Sequence, residues 1–551
     1  MKYFDRNTWF WIILSSLFFF PFLGGVHLFD WDEINFAELA REIVVTGDFL
    51  RMQINYEVFT EKPPLFFWLQ AISMKIWGVG EYAARFPNAL LGVIVVPFLY
   101  ISGKFLVDRR FGWFWALSWT GSILPFLYFK SGIIDPWFNF FTFNALFFLI
   151  HYLWRKKGYR ELYFSKSARA YLWIAGISAG LAILTKGPVS FLLIALCLGV
   201  YWVIERFRWY IPLKTVIFFS LIALGVMLLW FGIDMAFNGP EFMVEFTIRQ
   251  WELLTTNDAG HGGFAGYHFV VLLLGCFPAS IFAIRGLGSF SGLPFHLKDF
   301  QRWMIIMLLV VLILFSLVGT KIIHYSSLAY YPITFLSALA LHRIYEQRAN
   351  YRLWMSIVIF LIGIAIAAMC WALPYISDNP ETIEPMLSKD PFAQANMEAE
   401  INWDRSTYIP FILILLTLVI FLLTVAKRKF LAFAVLFIGM ALWTFSALIS
   451  FIGRIEKISQ HAAVEFFEDK AGEEVYVTTF NYKSYVPWFY ARVKPYNHIK
   501  AQDQQWLLFG ETDRPVYISC KNTAREKLEE QIPDAEFLYA KNGFVFFVRR
   551  K

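Results

Sequence analysis

The sequence predicts a polytopic α-helical membrane protein, and composition, apolar runs and charge placement each point there. Of 551 residues, 58% are hydrophobic and 20% aromatic, while only 17% are charged. A soluble globular chain carries about 25% charge and roughly 45–50% apolar residues. Phenylalanine alone fills 61 positions, and the mean hydropathy is +0.52. Long apolar runs recur from residue 9 to residue 452, so the length divides into membrane spans and not into soluble domains. A soluble enzyme and a disordered chain are excluded, and so is a porin-like barrel, whose signal is short alternating segments.

Runs long enough to span lie near 9–29, 82–101, 111–129, 137–153, 170–184, 189–204, 215–234, 267–284, 303–319, 328–341, 353–374, 406–426 and 430–452, about thirteen helices in all. The first run follows Lys2 and Arg6, as in a signal peptide, but lacks a small-x-small cleavage site, so an uncleaved first helix is expected. The net charge of +7 does not mark a nucleic-acid binder, because the basic residues sit in short clusters between apolar runs. These clusters are Arg109–Arg110; Arg155, Lys156, Lys157 and Arg160; Arg206 and Arg208; Arg343, Arg348 and Arg352; and Lys427–Lys429. Such clusters mark cytoplasmic loops. With them inside, the N-terminus is cytoplasmic, and an odd number of spans puts the C-terminus outside. The segments 30–81, 235–266 and 375–405 then also fall on the outer side. Cys197, Cys276 and Cys370 lie in apolar runs and Cys520 stands alone, so no disulfide framework is expected.

The tail from about residue 455 reads as a small outer α/β domain. Residues 474–480 and 515–519 look like strands, 482–491 and 523–531 look helical, and Ala540–Gly543 is a turn before a final strand at 544–548. The division expected is 1–454 for the membrane part and 455–551 for the tail.

Polar chemistry concentrates on the outer face. After the first run, Asp30 with Glu33 fits an acidic capping box, and Ile34, Ala37, Ala40, Ile43 and Val44 recur at helical spacing up to Gly47. This predicts an amphipathic helix at the membrane surface, with Asp32 and Glu33 in its first turn. The competing reading is that these acids merely complement the helix dipole. Glu61-Lys62-Pro63-Pro64 precedes a second surface helix, where the missing proline N–H groups cost nothing. A carboxylate and an ammonium fixed there can bind a metal ion and a phosphate. Asp135, in a short outer connection before Pro136, is a costly place for a charge and so a functional candidate.

Basic residues are scarce on the outer side, which makes Lys62, Arg85, Lys130, Lys186, Arg249 and Lys321 informative. Snorkelling accounts for any one lysine; a ring of cations suits a lipid-linked phosphate. His261, before two glycines in the loop 235–266, could join Glu61 and an aspartate around a divalent cation, although a lone histidine is more often structural.

In order along the chain stand Asp32-Glu33, Ala40-Arg41-Glu42, Glu61-Lys62-Pro63-Pro64, Arg85-Phe86-Pro87, Asp135, Thr185-Lys186-Gly187, His261-Gly262-Gly263, and Lys321 followed by Tyr325. This ordered set resembles the bacterial aminoarabinose (lipid A) transferase and dolichyl-phosphate-mannose-protein mannosyltransferase-related family of the GT-C glycosyltransferase class. The resemblance implies a GT-C-type fold and an inverting transfer from a polyprenyl (undecaprenyl) phosphate sugar at the outer face of a bacterial inner membrane. The implied acceptor is lipid A, another glycan or a protein; a flippase for the same lipid is the alternative from another class. It implies Asp32 and Asp135 as catalytic acids, Glu61 and His261 as ligands of a divalent metal of open identity, and Lys62 as a contact to the lipid phosphate. Glu33, Arg85, Lys186, Arg249, Lys321 and Tyr325 join as phosphate- or substrate-binding candidates. The aminoarabinose transferases carry an arginine shortly after the loop histidine; here residues 262–267 read Gly-Gly-Phe-Ala-Gly-Tyr, and Arg249 upstream is the nearest substitute.

Overall fold

In the computed structural model of the protein, residues 4–159, 167–255, 263–382 and 384–550 are described. The chain starts with α1 (Arg6–Phe19), α2 (Asp32–Thr46), a two-strand hairpin of β1 (Gln53–Ile54) and β2 (Glu57–Val58), and α3 (Leu65–Trp77). There follow α4 (Glu81–Leu106), α5 (Arg109–Thr120), α6 (Ile123–Tyr128), α7 (Asp135–Lys156), α8 (Ala168–Lys186), α9 (Val189–Ile204), α10 (Leu213–Asn238) and α11 (Glu241–Thr255). The second half holds α12 (Tyr267–Gly275), α13 (Ala279–Gly286), α14 (Phe295–Leu317), a 3₁₀ segment (Ile323–Ala329), α15 (Tyr330–Tyr345) and α16 (Leu353–Asp378). Two short helices, α17 (Glu384–Leu387) and α18 (Pro391–Asn396), lead to α19 (Ile409–Thr424), α20 (Lys429–Ala447) and α21 (Gly453–Ser459).

Every apolar run found in the sequence contains a helix, although the first, 9–29, is helical only as far as Phe19. Among the described residues, however, only seven helices are long and apolar enough to cross a membrane, or up to eight if a bent pair counts as one span. That pair is α12 and α13, which turn by 113° at the break. The run 111–129 is likewise divided, into α5 and α6, at Gly121 and Ser122. Hydropathy averaged over a run cannot see a break that a few residues impose. The reverse error occurs at 235–266, read as a loop: α10 runs on to Asn238, and α11 is a helix whose charges hid its apolar face.

The bundle packs through small residues and aromatic rings. A Cβ added to Gly112 would lie 2.4 Å from the carbonyl oxygen of Tyr100, so only glycine lets α5 approach α4 this closely; Gly286 of α13 meets Leu336 of α15 in the same way. Trp115 is fully buried with edge contacts to Phe143, Phe300 and Phe335.

From α22 (His461–Glu468) onward the chain forms an α/β unit with β3 (Tyr476–Phe480), α23 (Val486–Tyr490), α24 (Gln504–Phe509), β4 (Val516–Lys521), α25 (Arg525–Gln531), β5 (Ala535–Lys541) and β6 (Phe544–Arg549). The sheet order is β3-β4-β6-β5, with β3 parallel to β4 and the other pairs antiparallel. Strand β5 was not foreseen, since as an edge strand it is largely exposed and lacks a clean apolar alternation.

This unit is fused to the first loop. One hydrophobic cluster runs through Ile34, Phe36, Phe66 and Phe67 of α2 and α3 into Phe466, Val486, Phe489 and Phe546. Residues Glu33–Ile43 of α2 are all buried. The helix expected to lie amphipathically on a membrane surface is therefore enclosed, with α3 on one side and α23 against another. The hairpin turn, Asn55 and Tyr56 at φ 54° and 59°, has the type I′ signs. It locks the same junction: the Tyr56 hydroxyl donates to Val493 O at 2.6 Å, and Tyr496 donates to Asn55 Oδ1 at 2.8 Å.

Candidate functional site

The site is built where several helices end. Helix α2 does not begin with the expected capping box. Trp31 is the capping residue, at φ 74° and without a side-chain cap; a bulky residue in that region costs of order 1–3 kcal/mol and persists only when its surroundings hold it. They do. Asp30 Oδ1 accepts from Trp31 N at 2.8 Å and from Tyr485 N at 3.1 Å, so Asp30 binds the tail instead of capping the helix. Lys483 lies over the Trp31 ring at 5.6 Å. Asp32 follows as the first residue of the helix.

Asp32 keeps 48% of its side chain exposed and lies 3.5 Å from His324. Burial raises its pKa above the ordinary carboxylate range; His324, Lys186 and Lys62 pull it down and Asp135 pushes it up. Asp135 opens α7 and is only 4% exposed, with its Oδ1 accepting from Lys186 Nζ at 2.6 Å. Lys186, the last residue of α8, also faces the rings of Phe138 and Tyr325 at 5.8 and 5.7 Å. Tyr128 sits 2.7 Å from Nδ1 of His324, leaving Nε2 turned to Asp32. Four separate elements thus bring Asp32, Asp135, Lys186, His324 and Tyr325 together.

Glu61 and Lys62 form a half-buried pair at 2.6 Å on the approach to α3. Burial works against the Glu61 charge, yet Lys62, Arg249 and Lys483 outweigh it and hold Glu61 below its ordinary pKa. Arg249 is therefore within electrostatic reach of Glu61 from α11, and its guanidinium lies 3.4 Å from Glu252.

Four expected binders are taken up by the protein itself. Arg85 makes two bonds to Glu33 and three to the carbonyls of Leu23, Val26 and His27; Glu33 also accepts from Phe29 N and Gly132 N. Burial opposes the Glu33 charge, but Arg85 keeps it ionised. Lys321 donates to the carbonyls of Phe315, Ser316 and Val318, sealing the end of α14. Lys130 is spent similarly, on the carbonyls of Phe19 and Pro21. These residues brace the site; their donors do not point at a ligand.

His261 lies outside the described residues. Of the expected metal pair only Glu61 can be placed; its partner is an ammonium, and among the described residues it joins no group of three metal-ligand side chains. Sequence reading missed His324 and Tyr128. His324 stood inside the quoted Lys321–Tyr325 stretch and could have been found from it; Tyr128 carries no sequence signal, being one of many aromatics in an apolar run.

Residues 61–231 match the model of the dolichyl-phosphate-mannose-protein mannosyltransferase family. An undecaprenyl phosphate-alpha-4-amino-4-deoxy-L-arabinose arabinosyl transferase of Shewanella sediminis is 26% identical over 353 residues, 62% of this chain and 60% of that protein. An uncharacterised Aquifex aeolicus protein is 28% identical over 192 residues, 33% of this chain and 34% of that one. These matches thus span about a third to three fifths of the relatives' lengths. The crystal structure of ArnT from Cupriavidus metallidurans bound to undecaprenyl phosphate superposes with a TM-score of 0.76 over 99% of this chain and 98% of that one, at 19% identity. The apo form gives 0.72. The chain thus has a GT-C-type polytopic membrane fold over its whole length and is similar in sequence, over part of it, to the aminoarabinose transferases and the mannosyltransferase family.

Proposed function

We propose that the chain is an inverting membrane glycosyltransferase that moves a sugar from a polyprenyl (undecaprenyl) phosphate to lipid A or another cell-envelope acceptor. The observation that carries this reading is the convergence of two carboxylates, Asp32 and Asp135, with Lys186, Lys62 and His324 at one end of the bundle. The names of the relatives and of the fold neighbour point to the same chemistry. Asp32 is the base: as the acceptor hydroxyl oxygen attacks the anomeric carbon, its proton passes to the Asp32 carboxylate. The sugar–phosphate C–O bond breaks, and its electron pair leaves on the polyprenyl phosphate. Lys62, Lys186 and Arg249 oppose that growing negative charge. His324, oriented by Tyr128, tunes Asp32, and Asp135 holds Lys186 in place. Glu33, Arg85 and Lys321 are scaffold in this scheme. A divalent cation held by Glu61 with His261 remains part of the proposal, supplying further charge neutralisation when bound; no step above depends on it.

Single helices support an orientation. Helix α4 carries Arg85 near its start and Lys104 at its end, before Arg109 and Arg110; α7 begins with Asp135 and ends with Arg155 and Lys156. The site and the basic clusters therefore occupy opposite ends, and with the basic clusters on the cytoplasmic side the proposed orientation has the site and the unit from residue 455 facing the periplasm of an inner membrane. Residues 1–454 form the catalytic membrane part, and its count of spans is about thirteen if the short helices cross with the long ones.

The test is transfer of labelled sugar from a polyprenyl-phosphate donor pool in membranes, native chain against Asp32→Asn at matched protein level. A labelled product that vanishes in the mutant supports the proposal, and its lipid, glycan or protein fraction names the acceptor. Equal labelling with a competent donor pool would overturn Asp32 as base and favour transport.

A further inference from the structure

Away from this site, a second cluster joins the first loop to the tail. His27 Nδ1 lies 3.0 Å from Glu456 Oε1, and His461 Nδ1 lies 3.2 Å from Glu456 Oε2. The two imidazole rings are 5.3 Å apart, and Glu456 is only 4% exposed. Nitrogen and oxygen ligands at about 2.0–2.2 Å from a tetrahedral zinc stand roughly 3.3 Å from one another; the two nitrogen–oxygen separations here match that, and all three donor atoms lie within 4.8 Å of one another. The other nitrogen of His27 points to Glu468 Oε2 at 3.7 Å. A carboxylate behind the far nitrogen of a ligating histidine is the usual second support of a metal site, since it fixes the tautomer and raises ligand basicity.

The other cluster of this kind among the described residues, Asp108, His342 and Glu346, is different: both acids approach the single nitrogen Nε2 of one histidine, and Glu346 is shared with Arg348. It has one imidazole and no outer carboxylate. The His27 cluster has two imidazoles, both with Nδ1 within 3.3 Å of Oε1 of one buried carboxylate, and the half-exposed Glu468 beside them.

We propose that His27, Glu456 and His461 bind a divalent zinc-type cation, with a fourth position left for water, as a clamp between the membrane part and the tail. Imidazole and carboxylate donors suit zinc. Both Nδ1 atoms face Glu456; on binding, the cation takes their lone pairs, and each neutral ring carries its single proton on Nε2, that of His27 toward Glu468. The clamp stands beside the bonds Leu28 N to Tyr490 Oη, Asp30 N to Gln460 Oε1 and Gln460 Nε2 to Leu28 O, on the loop that delivers Asp32. It is independent of Glu61 and His261, and of the proposed transfer activity.

The experiment is zinc stoichiometry by mass spectrometry on full-length protein, purified in detergent without a histidine tag and equilibrated with zinc. Native, His27→Gln, His461→Gln and Glu61→Gln chains are compared. The expected result is loss of about one zinc per chain in each histidine variant, with that zinc retained in Glu61→Gln. Equal zinc in native and histidine variants, or no zinc in the native chain, would overturn the site. Because the histidine variants could fail to fold, X-ray absorption on the folded, zinc-loaded Glu61→Gln chain gives a second reading. Two imidazoles with oxygen support the site, and a shell without imidazole overturns it.

Discussion

At the residue scale, Asp32 is the position where environment and function meet most directly. Half of its side chain is open, yet the protein packed around it and the Asp135 charge still raise its pKa, so the folded chain keeps that proton to higher pH than the unfolded chain does. Between the ordinary aspartate pKa of about 3.9 and the folded value, the native state binds more protons, and stability falls as pH rises. Asp32→Asn should therefore lose transfer activity by about 10²- to 10⁴-fold while being no less stable than native at neutral pH, checked by paired transfer and thermal-unfolding assays. The native acid limb of activity should lie above the usual carboxylate range. Lys186 shows the opposite balance. Lys186→Met leaves the Asp135 charge buried and unpaired, which costs about 3–5 kcal/mol; adding Asp135→Asn should restore most of the melting temperature and none of the activity. A double-mutant cycle on both readouts separates the two roles.

At the element scale, α2 depends on two buried charge sets for its place. Glu33 and Arg85 tie its first turn to the start of α4 and to the loop before it. Arg85→Met should destabilise by about 3–5 kcal/mol, seen as a lower melting temperature, with Glu33→Gln in the same chain recovering part of the loss. Further along, Arg41 grips Glu38 by two bonds of 2.6 Å, and Glu42 sits against them. Burial first, and the Glu38 charge next, raise the Glu42 pKa well above the carboxylate range. The sign is again that of a raised acid: the unfolded chain releases this proton near pH 4.3 and the folded chain keeps it, so stability falls as pH rises from there. Glu42→Gln should flatten that alkaline loss, measured as melting temperature across pH.

At the scale of the whole molecule, the tail is part of the site's architecture, because its core is continuous with α2 and α3. Removing the residues after 454 would uncover Ile34, Phe36 and Phe67 of that core and release Asp30 from Tyr485 and Gln460. The shortened chain should lose activity, and limited proteolysis should cut between residues 27 and 62, where the full chain resists. Equal resistance in both would show that α2 and α3 hold their places unaided.

Local pattern was enough for the class of the molecule and for the polar residues worth watching. Apolar runs long enough to span report on a backbone that must satisfy its own hydrogen bonds in lipid, and that constraint is local. Asp32, Asp135 and Lys186 were visible because charge at a helix end beside an apolar run is costly wherever it occurs. Tertiary structure decided which of those charges face each other. Arg85 and Lys321 look like Lys186 in sequence, yet their donors close on carbonyls and a buried acid, while Lys186 closes on Asp135 and leaves its surroundings open to Asp32. The burial of α2 also had to wait for the fold, since α3 covers only one side of it and the tail surface on the other comes from residues more than four hundred positions away. Local pattern sets what a segment can be; the partner of a polar group depends on contacts far along the chain, and no spacing within the segment encodes them.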